Sequence, residues 1–489
     1  MNSNPGRGFY ISPLSRLNVR NPMIFFGAQL SALAVLALFI PFLNQYYWFT
    51  LAIILVLLVI GFISAQRLES IFSPLTIFSV SYLGYAVGAV YYSVSGEVGK
   101  FSVLTGTELE FWSYAPAIDA LLILCFVGFG FGYLLGEYRF GLFHRGRVEE
   151  GEPAYLRGSW ILSVYKPIVF SSLSIGVFWW LYVAHTVSDS LFQFIKEFQL
   201  FPHRVAEYGV TTLPYHFYYA GMFLWLYSIL LKEKNPGVLF WSFSVLGVLI
   251  NLTQGRVMLS ATFFMALLIA VGLCRPALRT RIVYSLLAVV ALAVVAYFLR
   301  IYSNYAYIGK EFDLFGQGFF FSTIESLVAG GNVPDLQQLV IILHTWGHGN
   351  FSYGSTYVDS VKNLLSGILD FEPSSVGLQV KSLYFPDRSG PPTPGAVGEA
   401  YVNFGFFSPV FLFFVGFFFA KVYSFVLYRK SALLYMVYAV FLTRFVFMYP
   451  KVDSTMIANF VWGAAPFLSL LLFAYFVWSF LRASVAIRF

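Results

Sequence analysis

The sequence predicts an all-α, polytopic integral membrane protein, and three observations carry that expectation. Of 489 residues, 59% are hydrophobic and only 11% charged, against about 45–50% and about 25% in an average soluble domain. Mean hydropathy is +0.74. The apolar residues gather into runs of about 20, the length a helix needs to cross a bilayer core. This composition excludes a soluble globular enzyme, a disordered chain, a fibrous repeat and a disulfide-stapled secreted module. Cys125 and Cys274 lie in or at the end of apolar runs and offer no disulfide framework. The aromatic share is 20%, with 56 Phe, 33 Tyr and 10 Trp. Interfacial belts of Trp and Tyr account for part of that excess, but not for the Phe.

Taken in order, residues 1–22 are largely polar and precede an apolar run over 23–42 that lacks a small-residue cleavage site. It reads as a retained first helix rather than a signal peptide. Further spans are expected near 47–65, 71–94, 113–136, 167–188, 213–231, 237–253, 257–273, 282–299, 406–428, 432–449 and 455–481, about twelve helices in all. Thr253-Gln254-Gly255-Arg256 makes a tight turn between two of them. Lys and Arg resist translocation, so loop charge orients the chain. With the N-terminus inside, the short inner segments hold 18 basic residues and the outer segments 10, Lys421 and Arg444 falling within spans. Both termini are therefore expected in the cytoplasm, and most of the net charge of +7 only orients the chain. Three regions result: a membrane region of about nine spans over 1–299, an outer loop over 300–405, and three further spans over 406–489.

A structureless loop of about 100 residues is improbable, so the outer loop is expected to form a helical cap lying on the membrane. Asp335 could cap a helix through Leu336, Leu339, Val340 and Leu343, and a second helical pattern runs through Tyr357, Val361, Leu364, Leu365 and Ile368. Phe319-Phe320-Phe321 reads as an interfacial piece. The Gly/Pro-rich stretch Ser389–Gly395 forbids regular helix and leads into Gly398–Gly405. No internal repeat relates the two halves, which speaks against a transporter built from related halves.

No Walker loop, dinucleotide fingerprint, paired CxxC or HExxH is present, and no cofactor or metal is implied. The outer basic residues are more informative. Arg256 sits in a short turn, Arg300 follows a span, and Arg388 opens the Gly/Pro-rich return. Arg444 lies within a span, where an arginine costs at least about 2.5–3.5 kcal/mol, and Lys451 stands just beyond it. For Arg256 and Arg300 the bland alternative is snorkelling to lipid phosphates; for Arg444 it is pairing with an intramembrane carboxylate such as Asp119. Several cations at one face fit an anionic ligand, and Arg grips phosphate oxygens through two parallel hydrogen bonds. Glu399, entering an apolar stretch, is a partly desolvated carboxylate whose raised pKa would suit general-base work; an ordinary interfacial Glu paired with an outer Arg is the alternative. Asp453 is placed to cap the last helix. His344 and His348 sit four apart, but Gly347 and Gly349 break the helix there and no third metal ligand is evident. A proton-accepting His, or a surface pair with no role, fits better.

These features resemble the Wzy family of bacterial oligosaccharide repeat-unit polymerases. The resemblance rests on Gly255-Arg256 between two spans, Leu299-Arg300-Ile301-Tyr302 at the start of the outer loop, the return Pro394–Gly405 with its Gly-Glu-Ala-Tyr-Val-Asn-Phe-Gly core, and Lys451-Val452-Asp453-Ser454 between the last spans. It covers roughly Gly237 to the end. It implies a metal-independent, inverting glycosyltransferase of the bacterial inner membrane that joins undecaprenyl-diphosphate-linked repeat units at the periplasmic face into O-antigen or a related polysaccharide. Donor and acceptor are then both lipid-linked. The bilayer and a chain-length regulator of the polysaccharide co-polymerase type are the further partners it admits, and no nucleic acid. On this reading Arg256, Arg300, Arg388, Arg444 and Lys451 bind diphosphate, and Glu399, or failing it His344 or His348, takes the acceptor's proton. The runners-up are an O-antigen ligase, which resembles these polymerases in architecture, and a lipid-linked oligosaccharide flippase, which would use deep charges such as Asp119, Lys421 and Arg444.

Overall fold

In the computed structural model the described residues are 47–65, 71–95, 100–102, 108–143, 160–188, 194, 215–252, 257–289, 291–292, 336–365, 374–386 and 392–486. The first expected span, residues 290 and 293–299 of the ninth, Asp335 and Phe319–Phe321 lie outside them. The helices are α1 (Tyr47–Ala65), α2 (Pro74–Ser95), α3 (Phe111–Phe143), α4 (Ile161–Val187), α5 (Tyr215–Leu231), α6 (Val238–Leu252) and α7 (Val257–Cys274), then α8 (Leu336–Trp346), α9 (Ser355–Leu365), α10 (Val376–Tyr384), α11 (Gly395–Phe404), α12 (Ser408–Arg429), α13 (Ala432–Phe441) and α14 (Met456–Ala486). One feature departs from the all-α expectation: Lys100–Ser102 pairs antiparallel with Glu108–Glu110, Phe101 opposite Leu109, in a short hairpin just before α3.

Most of these helices are apolar all round, the pattern of segments surrounded by protein or lipid rather than water. Among the described residues five runs are long and apolar enough to cross a membrane, over Pro74–Tyr91, Ser113–Glu137, Ile161–Val187, Gly395–Arg429 and Met456–Ala483, and four further apolar helices are shorter. The chain is a helical membrane protein. Its tightest seam joins α3 to α12, which run in the same direction: Gly128 meets Pro409, Gly132 meets Phe413 and Gly136 meets Phe417. A Cβ on Gly132 would lie 1.8 Å from the Phe413 carbonyl oxygen, and one on Gly416 would lie 2.0 Å from that of Phe129. Small residues every fourth position let the two backbones touch, as membrane helices require when no hydrophobic driving force holds them together.

The Phe excess divides between two environments. Phe419 sits at the centre of a buried aromatic cluster with Phe129, Phe441, Phe445 and Tyr449. Phe406, Phe407, Phe414 and Phe418, on the same stretch of chain, are exposed, the arrangement of a helix facing lipid.

Helices α6 and α7 pack on each other, with Ser260 Oγ donating to the Val248 carbonyl at 3.3 Å, while the turn expected at Thr253–Arg256 lies outside the described residues. Basic residues collect where α5 and α7 end and α4 begins. Arg275 Nη2 reaches the Lys234 carbonyl at 3.5 Å, and Lys232 Nζ donates to Tyr165 Oη at 3.0 Å. Nearby, Trp160 packs on Tyr475 and Trp478, and Arg482 lies over Trp478 at 5.4 Å. At the other end of α14 lie the turn 449–455 and the short helices α9 and α11. Helices α8 and α9 form where the sequence pattern placed them; α10, which the pattern did not single out, is capped by Ser375, whose Oγ accepts from Leu378 N–H at 3.1 Å.

Candidate functional site

Glu399 is fixed first by how its helix starts. Gly395 has φ +70, and a Cβ there would lie 2.5 Å from the Pro450 carbonyl oxygen and 2.6 Å from Tyr85 Oη. Glycine meets both demands, the left-handed backbone and the missing side chain. Tyr85 Oη donates to the Pro450 carbonyl at 3.0 Å, and Ala396 N–H donates to the Tyr449 carbonyl at 3.1 Å. These contacts lock the beginning of α11 onto the turn that follows Arg444.

One helical turn later Glu399 is 1% exposed and both its oxygens accept. Ser454 N–H donates to Oε2 at 2.7 Å, and Ser454 Oγ to Oε1 at 2.5 Å. Thr356 Oγ1 of α9 donates to the same Oε1 at 3.0 Å. Asn403, a further turn along α11, donates to Thr356 Oγ1 at 2.6 Å and to the Glu399 carbonyl at 2.8 Å, while its Oδ1 accepts from Gly354 N–H at 2.8 Å. Ser360 closes the cluster through Ser454 Oγ at 2.6 Å. A buried carboxyl group would be costly alone; here three donors from two other segments surround it. Glu399 thereby ties α9, α11 and the 451–455 turn together.

That turn carries Lys451. Lys451 is half-buried, and among the described residues its ammonium has no hydrogen-bond or ion-pair partner. Burial lowers its pKa to about 8. Asp453, two residues on, accepts from Thr455 N–H at 3.1 Å and from the Thr455 hydroxyl, capping the start of α14 as its position indicated. Burial raises its pKa even against those two bonds. Arg444 lies two helical turns before Lys451, in a π-helical turn over Leu442–Val446. It is 8% exposed and lies against Gly463 of α14, where a Cβ would come within 2.6 Å of its Cδ and 3.0 Å of its Nε. The glycine makes the space that the guanidinium stem fills. Pairing of Arg444 with Asp119 is not observed: among the described residues neither oxygen of Asp119 has a hydrogen-bond partner.

The two histidines go separate ways. His344, near the end of α8, shares a hydrogen bond of 2.8 Å between its Nδ1 and Tyr114 Oη of α3. His348 is exposed in the turn beyond the helix. Among the described residues no group of three or more His, Cys, Asp or Glu could hold a metal ion. Arg256, Arg300 and Arg388 lie outside the described residues.

Glu399 is thus bonded to the turn that carries Lys451, Arg444 lies two helical turns before that lysine against Gly463, and neither His344 nor His348 is among the bonding partners of Glu399. Sequence reasoning missed Thr356, Ser360 and Asn403 as partners. A signal existed: Thr356/Ser360 and Glu399/Asn403 are each four apart, and so share a helix face, although only α11 is otherwise apolar enough for its pair to stand out. Comparison of the chain with models of protein families, with curated proteins and with solved structures returns no match.

Proposed function

We propose that the chain is a membrane-embedded polymerase of undecaprenyl-diphosphate-linked oligosaccharide repeat units, with about twelve spans, a periplasmic cap over 300–405 and both termini in the cytoplasm of a bacterium. The observation that carries this reading is the buried cluster in which Glu399 holds the Lys451 turn against α9 and α11, with Arg444 two turns away. In the reaction an acceptor hydroxyl attacks the anomeric carbon of the donor, the bond from that carbon to the diphosphate oxygen breaks, and the diphosphate departs with its negative charge. Cations already in place stabilise that growing charge without having to move. Lys451 and Arg444 take this role here, with Arg256, Arg300 and Arg388 assigned to it by the resemblance alone.

Glu399 enters as the group that positions Lys451. Its Oε1 already accepts from two hydroxyls, so it receives the acceptor's proton only where the sugar hydroxyl displaces Thr356 or Ser454; otherwise that role falls to His344 or His348. The test is reconstitution of the purified chain with lipid-linked repeat units, without added metal or nucleotide. Polymer ladders support the reading, and unreacted single units sink it. Asp119, buried and without a hydrogen-bond partner among the described residues, favours a second reading, a lipid-linked oligosaccharide flippase, because intramembrane carboxylates mark transport pathways. Deletion of the gene separates the two: outward-facing single units accumulate without a polymerase, and inward-facing ones without a flippase.

A further inference from the structure

A groove of about 550 Å³ opens on the outer surface of the helical body between α4, α5 and α6. Its walls are apolar, among them Phe170, Leu173, Phe178, Trp225 and Leu246. Phe170 and Phe178 are 74% and 70% exposed, so the groove is open sideways toward the surrounding medium. From Tyr165 to Phe178 it follows α4 for about 20 Å at 1.5 Å per residue. One leaflet of the hydrocarbon core is about 15 Å thick, so the groove is long enough to take one acyl chain.

Its two ends differ. One is closed by aromatic and aliphatic side chains. The other carries Lys166, which is exposed and has no hydrogen-bond or ion-pair partner among the described residues, and Tyr165. Lys232, the residue after α5, donates to Tyr165 Oη and lies over its ring at 4.6 Å. Five residues before Tyr165, Trp160 packs against Tyr475 and Trp478. Trp and Tyr mark the depth of lipid headgroups, so the two lysines stand at headgroup level with the groove below them. This end is also remote from the Glu399 cluster: Trp478 is about 33 Å along α14 from Met456, at 1.5 Å per residue.

We propose that this groove is a site for one anionic glycerophospholipid, one acyl chain lying along α4 and its phosphate held by Lys166 and Lys232. A zwitterionic lipid has the same chain but brings a compensating cation to the two lysines, so the site should discriminate by headgroup charge. The proposal stands independently of the polymerase reading.

The test titrates the full-length protein in neutral detergent with dioleoyl phosphatidylglycerol and, separately, dioleoyl phosphatidylcholine, counting bound lipids by native mass spectrometry. One phosphatidylglycerol is expected to bind preferentially, by about fivefold for each lysine at the surface. Lys166→Glu, at an exposed position, should abolish the preference while the melting temperature stays unchanged. Ser174→Trp, which fills the groove wall, should remove the bound lipid of either kind. Equal affinity for the two lipids, a preference that survives Lys166→Glu, or a dimer that buries this face each overturns the proposal.

Discussion

Ser454 gives both of its donors, the backbone N–H and the hydroxyl, to the single carboxylate of Glu399 at 2.7 and 2.5 Å. Residues 55 apart in sequence are thereby held as rigidly as neighbours on one helix, and Lys451, three residues before Ser454, shares that anchorage. The same relationship determines what substitutions at this site should do.

Glu399→Gln preserves size but replaces one acceptor oxygen with an NH₂ that faces donors. A donor left unsatisfied in a buried site costs about 1–3 kcal/mol, and the amide turned toward hydroxyl and N–H donors leaves more than one group unpaired. The variant should lose about 2–4 kcal/mol of stability, read as a lower melting temperature in detergent. In a double-mutant cycle with Ser454→Ala the two losses should fall short of additive by about 1–3 kcal/mol. Full additivity would mean that the pair does not act as a unit.

Lys451 carries the pH dependence. Its pKa of about 8 in the folded chain lies below the ordinary lysine value of the unfolded chain, so the unfolded state binds more protons between the two. Stability therefore rises with pH across that window. Anion binding runs the opposite way, because the ammonium is present below about 8 and lost above it. Retention of undecaprenyl diphosphate should fall as pH is raised from 7 to 9, while Lys451→Arg, whose charge does not titrate there, should flatten the profile. A profile identical in the two proteins would remove Lys451 from the diphosphate site.

Much of this arrangement was legible in the sequence, for identifiable reasons. Apolar runs announce helices because burial and spanning length impose composition directly, and α8 and α9 were visible in the 3.6-residue recurrence of Leu339, Leu343, Val361 and Leu365. Glu399 stood out because a carboxylate in an apolar stretch is expensive. Its partners did not. Thr356 and Ser454 are 43 and 55 residues away, and a hydroxyl looks the same in sequence whether it meets a carboxylate or lipid. The hairpin at Phe101 and Leu109 was equally silent, since three-residue strands leave too short an alternation to read. The bland alternative for Arg444, pairing with Asp119, is not realised, since neither Asp119 oxygen has a hydrogen-bond partner among the described residues; depth along two helices does not by itself bring two charges into contact.

Gly463 offers a way to disturb Arg444 without touching it. A methyl group there would fall 2.6 Å from Arg444 Cδ, in the middle of the side chain, where the stem cannot simply swing away. Gly463→Ala should displace the guanidinium and reproduce the activity loss of Arg444→Ala, and Gly463→Val should in addition cost about 1–3 kcal/mol through overpacking. Polymer ladders from reconstituted variants measure the first effect and thermal melts the second. Unchanged ladders in Gly463→Ala alongside lost ladders in Arg444→Ala would show that the stem's position is immaterial.

Asp119 separates the two functional readings by experiment. It is fully buried in α3, and neither oxygen has a hydrogen-bond partner among the described residues, so the fold gains nothing visible from its polarity and bears the cost of burying it. Replacing a buried polar group by an apolar side chain of similar size is commonly neutral or stabilising. Asp119→Leu should therefore leave the melting temperature unchanged or raise it. In a polymerase that uses the Lys451 turn, the same variant should still build ladders from lipid-linked units supplied on the outer side. A stable Asp119→Leu protein that leaves repeat units facing inward in cells would instead assign the carboxylate to a transport pathway and give the flippase reading the stronger claim.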